Sequence, residues 1–232
     1  MRFVKVIFIL LLVLALTVVG WRVYAYYKDL AMLPNSLVGQ LIVVDPGHVG
    51  SDTGVIGSTG VHEKEINLII ANKLTALLRR YGATVLMTRV NNNELSAPEA
   101  GAEYSQYDQD LSRRVALANN NHADLFVSIH VNSFPDREIL GPQVFYHPSS
   151  VEGRKLAAAI QKELDSDLVN PGRLIMAEDF FVLRHTKMPS ALVEVGFMTN
   201  LEEERLLLEE RYQNRVAWSV YIGIVRYFAN KS

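Results

Sequence analysis

Leu41-Ile42-Val43-Val44-Asp45-Pro46-Gly47-His48 decides the fold. Four consecutive apolar residues run into an Asp-Pro-Gly turn, the mark of a strand buried on both faces that ends at the turn. From Glu65 to Arg80, apolar residues recur at Ile66, Ile69, Ile70, Leu74, Leu77 and Leu78, a helical stripe stopped at Gly82. Thr84–Thr88, Leu125–Val131, Gln143–His147, Phe180–Leu183 and Ala191–Val195 read as further strands. Asp110–Asn121 (with Asp110 as N-cap), Val151–Leu168, Leu201–Leu208 and Arg211–Phe228 read as helices, and Asn91–Gln109 as a long surface loop. Strands alternating with helices predict an α/β fold. It is a single domain with a mainly parallel twisted sheet of about six strands, helices on both faces, and an N-terminal apolar helix.

The chain has 232 residues, 49% hydrophobic and 21% charged, with a formal net charge of −2. This is enough to bury a core without staples and too apolar for a disordered chain. Near-neutral charge argues against nucleic acid as a partner. The absence of cysteine excludes disulfides, a thiol nucleophile and cysteine-ligated zinc, so any metal must be held by His and carboxylates.

Arg2 and Lys5 precede an apolar run from Val6 to Gly20, followed by Trp21, Arg22, Tyr24, Tyr26, Tyr27 and Lys28. Residues 1–28 are therefore expected to be a signal peptide or a membrane anchor, residues 29–40 a linker, and residues 41–232 the catalytic domain. A cut after Ala25 and a buried core helix are the alternative readings. Beyond residue 28 the chain carries 19 bases against 25 acids, so an exported body is mildly acidic.

Ligands of an open α/β sheet gather at the carboxyl ends of its strands. Two strands end in histidine there, His48 and His130, and a third carries Glu194 inside the apolar run Leu192–Phe197. Glu63 follows a loop with glycines at 50, 54, 57 and 60, which lets the chain fold back toward His48. Two histidines and a carboxylate make a catalytic zinc shell with one open position, and a further carboxylate can take a proton from water. His48, Glu63 and His130 fit the first role and Glu194 the second. Each also has a plain reading. The histidines can be satisfied strand-end residues, Glu63 a first-turn acid favoured by the helix dipole, and Glu194 half of a buried ion pair with Arg114. Spacing alone leaves these open.

At these residues the chain resembles the zinc-dependent N-acetylmuramoyl-L-alanine amidases, the amidase-3 family. The likeness runs through Val44-Asp45-Pro46-Gly47-His48, Glu63-Lys64-Glu65-Ile66-Asn67-Leu68, Thr88-Arg89, Arg114–Asn119, Ser128-Ile129-His130-Val131-Asn132 and Glu194–Asn200. The N-terminal apolar segment, the single catalytic domain, the insert with Ala97-Pro98-Glu99 and Tyr104-Ser105, and the C-terminal Tyr221–Phe228 resemble the germination-specific, spore-cortex branch. The resemblance implies Zn2+ held by His48, Glu63 and His130, with Glu194 as the catalytic glutamate. It implies an extracytoplasmic enzyme acting on peptidoglycan, in the spore cortex for that branch, with an activator lipoprotein as a partner in some relatives. Asn132 is a candidate substrate contact. Val49 departs from the family's second glycine after the histidine. Two competing functions share these residues: a zinc peptidoglycan carboxypeptidase, and a membrane-anchored wall-binding protein without catalysis.

Overall fold

The computed structural model describes residues 2–32, 36–92, 105–169 and 172–231. The expected insert residues 97–99 and 104 lie outside these. The strands are β1 (Leu41–Pro46), β2 (Thr84–Met87), β3 (Leu125–Asn132), β4 (Gln143–Tyr146), β5 (Met176–Ala177) and β6 (Ser190–Phe197). They form one sheet in the order β2-β1-β3-β6-β4-β5. All neighbours pair in parallel except β4 with β6. Helices are α1 (Arg2–Met32), α2 (Glu63–Arg80), α3 (Gln106–Asn120), α4 (Val151–Asp167), α5 (Phe181–His185), α6 (Leu201–Leu207) and α7 (Glu210–Ala229).

Both faces of the sheet are covered, which is why its central strands read as unbroken apolar runs. On one face Ile42, Val44, Val127, Ile129 and Val193 pack under α2, α4 and α7. On the other, Val43, Phe126 and Leu192 meet Val115 and Ala118 of α3 and Val182 and Leu183 of α5. Helix α2 supplies Ile66, Ile70, Leu74 and Leu78, an i, i+4 row that is fully buried. Each such side chain contributes roughly 1.5–3 kcal/mol of transfer free energy. Its first turn carries Glu63 and Glu65 and its last Arg79 and Arg80, in the sense the helix dipole favours.

Three expectations are corrected. Phe180–Leu183 is no strand: Leu183 and Arg184 donate their N–H groups to the Phe180 carbonyl, starting α5. A four-residue apolar run cannot distinguish a strand from a buried helical turn. The sheet edge is instead Met176–Ala177, two exposed residues that end the short apolar run Leu174–Ala177. Helix α3 is capped by Ser105, whose side chain accepts from the Asp108 N–H, so the helix starts four residues before Asp110. The expected loop 91–109 is accordingly helical from Gln106. Helix α1 runs through Met32.

Strand β1 is the switch point. The chain leaves it over one face through α2 to β2, then crosses the other face through α3 to β3 on its far side. The loops after β1 and β3 diverge, and a crevice opens at the carboxyl ends of these strands.

Helices α4 and α7 approach closely at Gly223, where an added Cβ would meet the Ile160 backbone. Gly223→Ala is expected to lose roughly 1–3 kcal/mol through this overpacking, read as a lowered denaturation midpoint with an unchanged slope.

Candidate active site

The crevice is built on a buried carboxylate. Asp45, 1% exposed, accepts from Thr88 Oγ1 at 2.6 Å, Ser128 Oγ at 2.6 Å and Arg114 Nη1 at 2.7 Å. One side chain thus ties β1 to the end of β2, to β3 and to α3. Arg114 also donates from Nε to Asp110 at 2.6 Å and from Nη1 to the Pro46 carbonyl at 2.8 Å. Its acid partners are Asp45 and Asp110, not Glu194, which removes the ion-pair reading of Glu194. Burial works to raise the Asp45 pKa, but Arg114, Ser128 and Thr88 outweigh it and hold it below the usual 3.8. Among the described residues, Arg89 pairs with no carboxylate. It donates to the carbonyls of Pro46 at 2.9 Å and of Gly47 and Lys64 at 2.8 Å, pinning the turn after β1.

That turn places His48 at φ +59, a conformation side-chain-bearing residues rarely adopt. Glycine is required beside it. A Cβ at Gly47 would overlap the His130 ring, and one at Gly54 (φ +64) would overlap Glu63 and His48. The loop between folds back so that Glu63, at the start of α2, lies between the two imidazoles. Glu63 Oε1 is 3.1 Å from His48 Nε2 and 3.2 Å from His130 Nδ1, and the rings meet edge to face at 5.1 Å. One ligand atom from each of His48, Glu63 and His130 lies within 4.8 Å of the other two. Residues from three separate parts of the chain therefore form a group that could hold a metal ion.

The group is supported from outside. Glu63 accepts N–H bonds from Val131 at 3.0 Å and Val55 at 3.0 Å, and Asn67 Nδ2 donates to it at 3.1 Å. Asp52 Oδ2 sits 2.8 Å from His48 Nδ1, which leaves Nε2 as the nitrogen turned toward Glu63. Farther along the loop, Glu204 of α6 accepts from Ser58 and Thr59 and fastens the loop to the body. Burial opposes a charge on His48, yet Asp52 and Glu63 push its pKa up to about 9. Burial likewise opposes ionisation of Glu63, but the two histidines hold it well below the usual range. The pocket is poised to hold positive charge.

Glu194 pairs in register with His130 on the neighbouring strand, so the two side chains leave the same face of the sheet. Both line a cleft of about 250 Å³, together with His48, Asp52 and the aromatic wall of Tyr107, Phe180 and Phe181. Glu194 Oε2 is buried without a hydrogen-bond partner. Burial, then the charge of Glu63, raises its pKa well above 4.5. An orphaned carboxylate facing a cation-seeking cluster is what a divalent ion and its reacting water require, so the residues fit a metal centre.

Residues 42–226 match the N-acetylmuramoyl-L-alanine amidase family, amidase-3. The chain belongs to this family. It is therefore an amidase, a hydrolase. It is 40% identical over 197 residues to the germination-specific N-acetylmuramoyl-L-alanine amidase of Bacillus subtilis, covering 84% of this chain and 82% of that one. Among solved structures, the CwlD amidase of Clostridioides difficile in complex with the GerS lipoprotein is 34% identical with a TM-score of 0.78. It covers 83% of this chain and 100% of that chain. The catalytic domain of the amidase CwlV from Bacillus (Paenibacillus) polymyxa is 32% identical with a TM-score of 0.70, covering 82% and 98%.

The remaining sequence candidates fall elsewhere. Asn132 accepts the Ser133 N–H at 2.7 Å and does not line the cleft. His147 follows β4, which runs antiparallel to β6, and so lies at the opposite end of the sheet, near Asp179. His185 packs its ring on Phe181, and His122, at φ +52, follows the C-cap of α3. Val49 is buried and bridges to Asp52, so it packs behind the loop rather than narrowing the cleft. Sequence reasoning missed Asp52, Asp45 and Glu204. An acid four residues after His48 in a glycine-rich loop was a usable signal for Asp52; nothing local marks Glu204.

Removing the Asp45 charge leaves Arg114 buried and partly unpaired. Asp45→Asn is expected to cost about 3–5 kcal/mol in denaturant unfolding. Because the folded pKa of Asp45 lies below its unfolded value, the stabilisation is present above about pH 4 and disappears as pH falls through the folded pKa. The acid limb of the stability curve should therefore flatten in the variant.

Proposed function

We propose that the chain is a zinc-dependent N-acetylmuramoyl-L-alanine amidase that cleaves the amide between the muramic acid lactyl group and L-alanine of peptidoglycan. The observation that carries this reading is the convergence of His48, Glu63 and His130 with the unpartnered Glu194 beside them. Two nitrogens and one carboxylate, with no thiolate, suit Zn2+ with an open position. Bound there, zinc would polarise the scissile carbonyl and lower the pKa of the attacking water.

The other roles belong to the chain. Glu194 accepts the proton of the attacking water and returns it to the departing L-alanine nitrogen. Asp52 fixes the tautomer of His48 through Nδ1, presenting Nε2 as a ligand. Asn67 and the Val55 and Val131 N–H groups fix the Glu63 carboxylate, so the site costs little reorganisation on loading. Asn132, at the same strand end as His130 but outside the cleft lining, is assigned a hydrogen bond to the part of the substrate that extends past the cleft rather than to the scissile amide. The aromatic wall excludes water from one side of the cleft.

Likeness to the germination-specific relative supports a role in spore-cortex maturation, in which stem peptides are removed before muramic-δ-lactam is formed. The complex of the Clostridioides difficile amidase with a lipoprotein supports an activator lipoprotein as a partner. Lys5–Tyr24 of α1 has a mean hydropathy of 2.6 and is long enough to cross a bilayer. It supports export across, or retention in, the membrane, with residues 1–28 as signal or anchor, a short linker to residue 40, and the catalytic domain from residue 41.

Glu194→Ala is expected to lose about 100- to 10,000-fold in kcat while keeping one zinc per chain by metal analysis. Unchanged turnover would remove Glu194 from the mechanism. Asp52→Asn is expected to weaken zinc binding about 10- to 100-fold in a chelator competition, whatever the residual activity. Mass spectrometry of digested muropeptides separates the activities. Free lactyl groups mark the amidase, and released C-terminal amino acids mark a carboxypeptidase.

A further inference from the structure

The point where the chain enters the domain and the cleft are at opposite ends of the sheet. The cleft lies at the carboxyl ends of β1, β3 and β6. The chain arrives from α1 at the other end, where Leu37 is fully buried and Val38 packs against Gly82. Helix α2 measures the separation. Glu63 at its start belongs to the ligand group, and Gly82 lies just past its end. Its 18 residues span about 27 Å.

The tether is short on this scale. From Met32, the last residue of α1, to Leu37 there are five Cα steps, about 17 Å at full stretch. The 20-residue, predominantly apolar span Lys5–Tyr24 fills a hydrocarbon core of about 30 Å. The eight helical residues after Tyr24 rise about 12 Å, of which about 6 Å is headgroup layer. Helix and tether together then reach about 23 Å above the headgroups, which is less than the length of α2. Turning the cleft down onto the bilayer would demand more chain than there is.

We propose that the chain works as a tethered amidase with its cleft directed away from the bilayer, so that it cleaves assembled peptidoglycan a domain's height above the membrane and is excluded from muramoyl-peptides held at the bilayer by a lipid. This rests on reading α1 as a retained anchor and the site as an amidase.

The full chain, reconstituted in phosphatidylglycerol–phosphatidylethanolamine vesicles, tests it with two probes at matched concentration. One is a water-soluble disaccharide–peptide. The other is the same disaccharide–peptide on a polyprenyl pyrophosphate embedded in the vesicles. The soluble probe is expected to be cleaved at least tenfold faster than the embedded one. Inserting about 30 Gly/Ser residues between positions 33 and 36 should close that gap without changing the rate on the soluble probe. Equal rates for the unaltered chain, or an insertion without effect, would overturn the proposal. Vesicle flotation and the intact mass of the chain report the anchor separately. A chain that does not float, or has lost α1, overturns the anchor reading and this proposal with it. A floating chain that carries one zinc by metal analysis and still leaves the soluble probe intact overturns the amidase reading instead.

Discussion

The Glu63 carboxylate, 3% exposed, governs this end of the molecule. A buried anion must be neutralised or fully hydrogen-bonded, and here both occur. Backbone N–H groups of Val55 and Val131 and the Asn67 amide take its lone pairs, and two imidazoles flank it. Meeting those demands draws the glycine-rich loop back over the sheet, sets where α2 begins, and fixes the distance between β1 and β3 at their carboxyl ends. The same demands make the pocket a receptor for positive charge. The stabilising interaction and the functional one are a single arrangement.

Much of this was legible in the chain. Continuous apolar runs identified β1, β3 and β6 because a sheet covered on both faces leaves no alternation to misread. The i, i+4 row from Ile66 to Leu78 identified α2 for the same reason. His48, Glu63, His130 and Glu194 stood out because a polar residue ending or interrupting such a run needs a cause. Illegible were elements whose stabilisation is tertiary. Phe180–Leu183 is apolar in any secondary structure, and only the core formed by Phe126, Val115 and Leu192 makes it a helical turn. Met176–Ala177 ends the apolar run Leu174–Ala177, which is too short to declare its secondary structure until β4 offers it an edge. Glu204 holds a loop almost 150 residues earlier through Ser58 and Thr59, and no local pattern encodes such a contact.

Several local violations of good structure sit together at the cleft, although others, His122 at positive φ and the unmet Thr75 Oγ1, lie away from it. His48 has a positive φ, Glu194 Oε2 and Arg114 Nη2 are buried without partners, and so is Asn67 Oδ1 beside Glu63. A left-handed side-chain-bearing residue costs roughly 1–3 kcal/mol, and each unmet buried polar group about as much. A chain of marginal stability keeps such costs only where something else over-determines the geometry. Here Asp45 and Arg89 do so: one ties three strands and α3 together, the other pins the turn that carries His48. The strain sits where a ligand would relieve it, and the rigid network lies directly beneath. A site arranged this way is organised before anything binds. Its reactivity then depends on which groups reach the open side of the cleft, and the length of the tether at the far end of the sheet decides which do.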